Sequence, residues 1–262
     1  MAAPVAIVAA MQEELSALLA TMPDERRVRI AGREFWVGHL QGQSVVAVLS
    51  RIGKVAAATT ATVLLERFGV RAIVFTGVAG GLAPHVRVGD VVVATRLLQH
   101  DLDASPIFPR YEVPLTGHAR FAADTVISDA LATAAEKLLR DPVALLGQKV
   151  VDDFALPAPR LHRGLVVSGD RFIARAADSE ALRHDLPDAL ACEMEGAAVA
   201  QVCHDFRVPF AAVRTISDRA DDQAHTDFMR FVATVASRYS LAILNEWLGA
   251  LPGGKRNGGP PT

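Results

Sequence analysis

Cysteine is scarce in this 262-residue sequence: Cys192 and Cys203 alone cannot build the disulfide framework of a small secreted scaffold. An excess of charge of either sign is lacking as well. Lys and Arg number 27 against 29 Asp and Glu, a formal charge of −2, whereas a nucleic-acid binder needs a basic surplus to neutralise phosphates and displace counterions. No stretch approaches the roughly 20 uninterrupted apolar residues of a membrane span. Residues 1–11 are apolar, but they lack a basic leading region and run straight into Gln12-Glu13-Glu14, so they read as a buried strand rather than an export signal. Nucleic acid and membrane are therefore not expected as partners. Small molecules are, and both cysteines are expected as reduced thiols in a cytoplasmic chain.

Internal repeats and low-complexity linkers are also missing until the end, where 251–262 is rich in Pro and Gly and is expected to be a disordered tail. What remains, 1–250, has the size and composition of one α/β domain, with 51% apolar and 21% charged residues over the whole chain. Short β-branched runs alternate with helical patterns, the arrangement that covers both faces of a mostly parallel sheet. Strands are predicted at 5–10, 28–40, 44–50, 72–76, 86–98, 165–168, 190–192 and 210–216. Helices are predicted from about Gln12 and over 55–68, 127–139, 196–204 and 226–248. The turn pairs Ala31-Gly32 and Gln41-Gly42 make the second and third runs antiparallel, so the sheet is expected to be mixed. In the last helix, Phe228, Phe231, Val232, Val235, Tyr239, Ile243 and Trp247 recur at helical spacing and are assigned to the core.

Four segments share one pattern, an apolar strand ending in a small or polar cluster: Ala9 to Glu14, Thr76 to Gly81, Cys192 to Gly196 and Arg214 to Asp218. In open α/β sheets ligands bind beyond the carboxyl ends of strands, so these segments can meet at one pocket. Gly77, Gly80 and Gly81 do not form G-x-G-x-x-G; they allow either a tight turn or a close backbone approach to a ligand. Glu193 and Glu195 flank Met194. On a free helix face they would simply be solvated, but in a pocket a carboxylate can grip two adjacent sugar hydroxyls above a polarisable methionine. Asp218 reads either as a helix N-cap or, if buried, as a general acid. Arg214 either leaves the core face or pairs with a carboxylate. The eight histidines are scattered and form no His-x-x-x-His pair, and no Cys-x-x-Cys occurs, so no metal site is expected, and no cofactor enters the expected chemistry.

Taken together, Ala10-Met11-Gln12-Glu13-Glu14, Ile52-Gly53-Lys54-Val55-Ala56, Gly77-Val78-Ala79-Gly80-Gly81-Leu82, Val88-Gly89-Asp90, Ser168-Gly169-Asp170-Arg171-Phe172-Ile173, Glu193-Met194-Glu195 and Ser217-Asp218 resemble the 5′-methylthioadenosine/S-adenosylhomocysteine nucleosidases. The resemblance runs from about 5 to 248. It implies a single-domain, nucleoside phosphorylase-like three-layer α/β/α fold and hydrolysis of the N-glycosidic bond of an adenine nucleoside. Asp218 would protonate N7 of the departing purine and Glu14 would hold and polarise the attacking water. Glu195 would bind the ribose hydroxyls with Met194 against the sugar. Phe172 would stack on adenine, the backbone of Ile173 would read its edge, and Ser217 would orient Asp218. Val78, Ala79, Gly80, Glu193 and Arg214 complete the candidate binding set. The resemblance further implies a homodimer whose sites are completed by the neighbouring subunit, with Ile107, Phe108 and Pro114 as candidates for the shared wall.

Two departures stand out. Many relatives carry serine at the position of Val78, where the hydroxyl helps to place the water; here either Glu14 and Arg214 position the water without it, or the chain belongs to a branch with altered substrate range. The segment His100 to Tyr111 also differs from the commonest pattern. Two rival readings are a purine nucleoside phosphorylase on the same fold and a non-catalytic adenine-nucleoside-binding protein. A phosphorylase would need cationic or backbone donors for phosphate. Arg51 and Arg87 are available in the sequence, but a carboxylate at Glu14 would repel the anion.

Overall fold

The computed structural model describes residues 3–156, 158–220 and 228–253. The first half contains β1 (Val5–Ala9), α1 (Gln12–Leu19), β2 (Arg26–Ile30), β3 (Arg33–Leu40), β4 (Gln43–Leu49), α2 (Lys54–Phe68), β5 (Ala72–Gly81), β6 (Val91–Gln99) and β7 (Arg120–Ala122). There follow α3 (Thr125–Leu139), α4 (Pro142–Leu146), α5 (Gln148–Asp153), β8 (Leu161–Ser168), α6 (Ala176–Asp185), β9 (Ala189–Glu193), α7 (Gly196–Phe206) and β10 (Phe210–Asp218). The last helical segment is α8 (Phe228–Phe231), a π turn over Val232–Ala236, and α9 (Ser237–Ala250). The expected start of that helix at 226 and the expected tail from 254 onward lie outside the described residues.

The strand order is β10-β6-β8-β9-β5-β1-β4-β3-β2, with β7 on β6. β2, β3 and β4 form the expected antiparallel meander, while β1 pairs β4 and β5 in parallel. β5 also pairs β10 along most of its length and meets β9 at Gly80 and Gly81. The circuit β5-β10-β6-β8-β9 therefore closes on itself, and the ends of β5, β9 and β10 are brought together.

Strand side chains alternate between faces, and apolar residues at both parities require two covered faces. Val5, Ile7, Val74, Ala211 and Val213 pack with α1, α3 and α9 residues such as Leu15, Leu131 and Trp247. Ala6, Val8, Ile73, Phe75 and Ala212 pack with Ala57, Leu64, Ala197 and Val199 of α2 and α7. The result is a three-layer α/β/α domain with a mixed sheet.

Two expectations need correction, and one open alternative is decided. The glycine cluster is not a turn: β5, expected to end at Thr76, runs through Gly81, and the end of β10 lies too close for side chains there. A Cβ on Gly80 would sit 2.9 Å from Asp218 Oδ1, and one on Gly81 3.2 Å from Ile216 Cγ2. The strand predicted from Val86 starts only at Val91, since Arg87 to Asp90 form a turn closed by the Asp90 carboxylate on the Arg87 N–H (2.9 Å), with Gly89 at φ +87°. Finally, the aromatic stripe of the last helix splits. Phe231, Val235, Tyr239, Ile243 and Trp247 are buried, but Phe228 is only half-buried; a π turn shifts helical phase and breaks simple periodicity.

Candidate active site

A cavity opens where β1, β5, β9 and β10 end. Its lining includes Ala10 and Met11 after β1, Val78, Ala79 and Gly80 of β5, Cys192 to Glu195 of and after β9, and Ser217 and Asp218 of β10. Arg171, Phe172 and Ile173 enter from the β8–α6 loop, Ile52 from the loop before α2, and Phe228 from α8. The four strand-end segments thus converge.

Asp218 is aimed by a register irregularity between Ile216 and Asp218 in the β10–β5 pairing; such bulges redirect a side chain at the end of a ladder. Ser217 Oγ donates to Asp218 Oδ2 (2.7 Å) and the Ala220 N–H to Oδ1 (2.8 Å). The carboxyl group is buried and fits only because Gly80 has no side chain. Gly80→Ala would force a methyl against Asp218 Oδ1 and Ala220 Cβ (3.0 Å). A displacement of this kind is expected to lower turnover about 10²-fold, measured as kcat on a variant whose circular dichroism matches the parent; unchanged kcat would refute the fit.

Glu193 and Glu195, two residues apart, have separate tasks. Glu193 accepts from the N–H groups of Glu195 (3.2 Å) and Gly196 (2.9 Å) at the start of α7, where backbone donors and the helix dipole favour an anion. Ser168 Oγ donates to it as well. Its principal partner is Arg214, whose Nη2 lies 2.7 Å away, both side chains being almost fully buried. Arg214 Nη1 donates to the Phe75 carbonyl (3.0 Å), and the guanidinium stacks 4.2 Å from the Phe75 ring centroid. This settles the partner of Arg214. Removing one member of a buried pair strands the other, so Arg214→Met is expected to cost about 3–5 kcal/mol of stability by urea unfolding. An unshifted midpoint would refute the coupling.

Glu195 accepts the Gly53 N–H on Oε1 (2.8 Å). Burial and the neighbouring Glu193 carboxylate raise its pKa from 4.5 to about 7, against the opposing pull of the Gly53 N–H and Arg214. Glu14, in the first turn of α1, accepts the Met11 N–H on Oε2 (3.2 Å). It does not itself line the cavity; it stands beside Gly77, the residue before the lining Val78, where an added Cβ would be 3.5 Å from both carboxylate oxygens and 3.6 Å from Arg214 Nη1. Its Oε1 has no hydrogen-bond partner among the described residues. Burial raises its pKa to about 7, opposed by the Met11 N–H and Arg214. One guanidinium thus lies among three buried carboxyl groups; it contacts Glu193 directly, while burial brings the titration of Glu14 and Glu195 to about neutral pH.

From the β8–α6 loop, Phe172 is 41% exposed and meets Phe228 edge-to-face at 6.3 Å between centroids. Ala10, Met11, Ile52, Arg171, Cys192 and Phe228 line the cavity but were not among the sequence candidates. The first five lie in segments quoted above, whereas nothing in the periodicity separates Phe228 from the core. Val78 is half-buried and packs partly against the core. Ile107, Phe108 and Pro114 do not line the cavity of their own chain, and Ile107 is 82% exposed. Arg51 and Arg87 are exposed and also lie off it. Both cysteines are buried free thiols, and burial pushes them up from their ordinary pKa. Among the described residues, no group of three His, Cys, Asp or Glu side chains is placed to hold a metal, and no helix is long and apolar enough to cross a membrane.

A partly closed mixed sheet with acidic residues at its strand ends, and aromatic residues brought to them by the β8–α6 loop and α8, makes this an α/β protein of the nucleoside phosphorylase type. A family profile of the Phosphorylase superfamily matches residues 4–248. The 5′-methylthioadenosine/S-adenosylhomocysteine nucleosidase of Neisseria meningitidis, solved with methylthio-immucillin-A, is 33% identical; the match covers 95% of this chain and 100% of that one, with a TM-score of 0.83. The S-adenosylhomocysteine nucleosidase of Streptococcus pyogenes, solved with 5-methylthiotubericidin, is 31% identical over 96% of this chain and 98% of that one (TM-score 0.82). The futalosine hydrolase of Helicobacter pylori is 30% identical over 95% and 98% (TM-score 0.79). The chain belongs to the Phosphorylase superfamily and, within it, to the 5′-methylthioadenosine/S-adenosylhomocysteine nucleosidase family. At that level it is a nucleoside hydrolase.

Proposed function

We propose that this chain hydrolyses the N-glycosidic bond of 5′-substituted adenine nucleosides in the cytoplasm, releasing adenine and the 5′-substituted ribose. 5′-Methylthioadenosine and S-adenosylhomocysteine are the foremost substrates, and 5′-deoxyadenosine and aminodeoxyfutalosine the further candidates. The observation that carries the reading is the meeting of Asp218 and Glu195 in a single cavity walled by Met194, Phe172 and Ile173, with Glu14 standing off the cavity beside Gly77, the residue before the lining Val78.

As the bond breaks, positive charge grows on the ribose and negative charge on the purine. Asp218 gives its proton to N7 and so neutralises the departing base. Glu195 grips the ribose hydroxyls with its second oxygen, the first being held by Gly53. Met194 lies against the sugar, Phe172 stacks on adenine, and the Ile173 backbone reads the edge of the ring. Glu14 holds the water and takes up its proton; with Val78 in place of a hydroxyl side chain, Arg214 is the other polar group beside it. Glu193 acts indirectly, by fixing Arg214 and the start of α7. The active unit is a homodimer, in which Ile107, Phe108 and Pro114 close the neighbour's cavity over the 5′-substituent.

The test is adenine release from each candidate nucleoside, with and without phosphate, followed by identification of the group on C1 of the sugar product. Hydrolysis gives a C1 hydroxyl at a rate indifferent to phosphate. Phosphate-dependent release with a C1 phosphate would replace the reading with phosphorolysis, and saturable binding without released adenine would reduce the protein to a binder.

A further inference from the structure

The loop that donates the Gly53 N–H to Glu195 is fastened by an ion cluster outside the cavity. Lys54 Nζ lies 2.5 Å from Asp101 Oδ1 and 4.0 Å from Asp170 Oδ2, with the lysine side chain only 15% exposed. The Lys54 N–H donates to Asp170 Oδ1 (2.7 Å), and the Asp170 N–H donates to Asp101 Oδ2 (2.8 Å). Consecutive N–H groups at the start of α2 thus address two carboxylates from different places in the fold: Gly53 points at Glu195, Lys54 at Asp170. The three tied segments are the start of α2, the residues after β6, and the β8–α6 loop that carries Phe172 and Ile173. Helix stability does not explain this lysine. A cation in the first helical turn opposes the helix dipole, and α2 has no acidic residue in that turn. The two aspartates are what make the position tenable.

We infer that Lys54, acting through Asp101 and Asp170, is a positioning residue that holds the Gly53 N–H on Glu195 and locks the sugar-gripping loop to the base-stacking loop. The inference rests on the proposed nucleosidase reading. Lys54 does not line the cavity, so its effect must pass through the loop. The groups that bear on Glu195 are the Glu193 carboxylate of β9, the Arg214 guanidinium of β10, and the Gly53 and Met194 N–H groups. Of these only Gly53 belongs to the clamped loop. Withdrawal of its N–H leaves Glu195 protonated to higher pH and less able to accept from two hydroxyls.

The test uses the full chain with 5′-methylthioadenosine, over about pH 6 to about pH 9. Lys54→Met keeps the length of the side chain and removes the charge. It is expected to raise KM about tenfold near neutral pH, the scale of one charge-assisted hydrogen bond, with kcat altered less than about threefold. The excess in KM shrinks as Glu195 ionises at higher pH, and Lys54→Arg restores KM. Asp101→Asn, which preserves shape, is expected to move KM in the same direction and serves if Lys54→Met folds poorly. A KM penalty that is absent or independent of pH, or a loss confined to kcat, overturns the positioning role while wild-type turnover stands. Failure of the wild-type chain to release adenine overturns both the inference and the reading beneath it.

Discussion

Asp218→Asn is expected to lower kcat for adenine release about 10²–10⁴-fold while the dissociation constant of the unreacted nucleoside changes by less than about threefold. The substitution preserves shape, so the space beside Gly80 stays filled as before. The Ser217 hydroxyl and the Ala220 N–H, 2.7 and 2.8 Å from the two carboxyl oxygens, hold the group in one orientation. An asparagine amide can still donate a hydrogen bond toward N7 but has no proton to transfer. The negative charge that develops on the departing purine is then stabilised without being neutralised, and the barrier rises in the chemical step alone. Single-turnover adenine release at saturating nucleoside gives the rate, and equilibrium dialysis of the slow variant gives the affinity. A kcat within about tenfold of wild type would remove Asp218 from the role of acid.

The legibility of this site in the sequence has a physical basis. A buried parallel strand is apolar at both parities, and it stops being so near the pocket; the breaks after Ala10, Cys192 and Ile216 are visible for that reason, and the one at Thr76 marks the approach to the pocket although β5 itself runs on to Gly81. What strand parity cannot supply is which carboxylate a guanidinium will choose. Arg214 meets Glu193 because the circuit of strands closes through β5, a contact set by long-range pairing rather than by local pattern. Glu193 and Glu195 look equivalent in sequence, yet one lies at the end of a strand beneath a helix N-terminus and the other beside Gly53. The glycine cluster misleads in the same way: a tight turn and a strand crowded by Asp218 both demand residues without side chains. Helices α4, α5 and α6 escape detection because they bury so little; in α6 only Ser179 and Leu182 are buried, too few to mark a period. Phe228 is hidden by the π turn, which no spacing rule anticipates.

Glu14→Gln is expected to combine a large catalytic loss with a gain in stability, and the two effects have one origin. Glutamine keeps the contacts of the side chain but cannot accept a proton from water, so kcat should fall about 10²–10⁴-fold. The stability effect follows from proton linkage. In the unfolded chain the carboxyl titrates at 4.5, and in the folded protein burial moves it to about 7. Below the lower value both states are protonated and folding is indifferent to the group. Between the two values the unfolded state releases its proton while the native state retains one, so the unfolding free energy falls as pH rises. Above the higher value the penalty is complete, about 3 kcal/mol for this displacement. Glutamine carries no such penalty. The variant should therefore match wild type near pH 4 and exceed it by up to about 3 kcal/mol near pH 8 in urea unfolding. Glu195, displaced in the same direction, is common to both proteins and leaves the difference intact. A stability gap that does not widen with pH would mean that Glu14 is not held protonated by burial. Retention of kcat would mean that another group activates the water. A carboxylate titrating near neutrality is a far better base than an ordinary one at the same pH, and the burial that makes it so is what destabilises the fold.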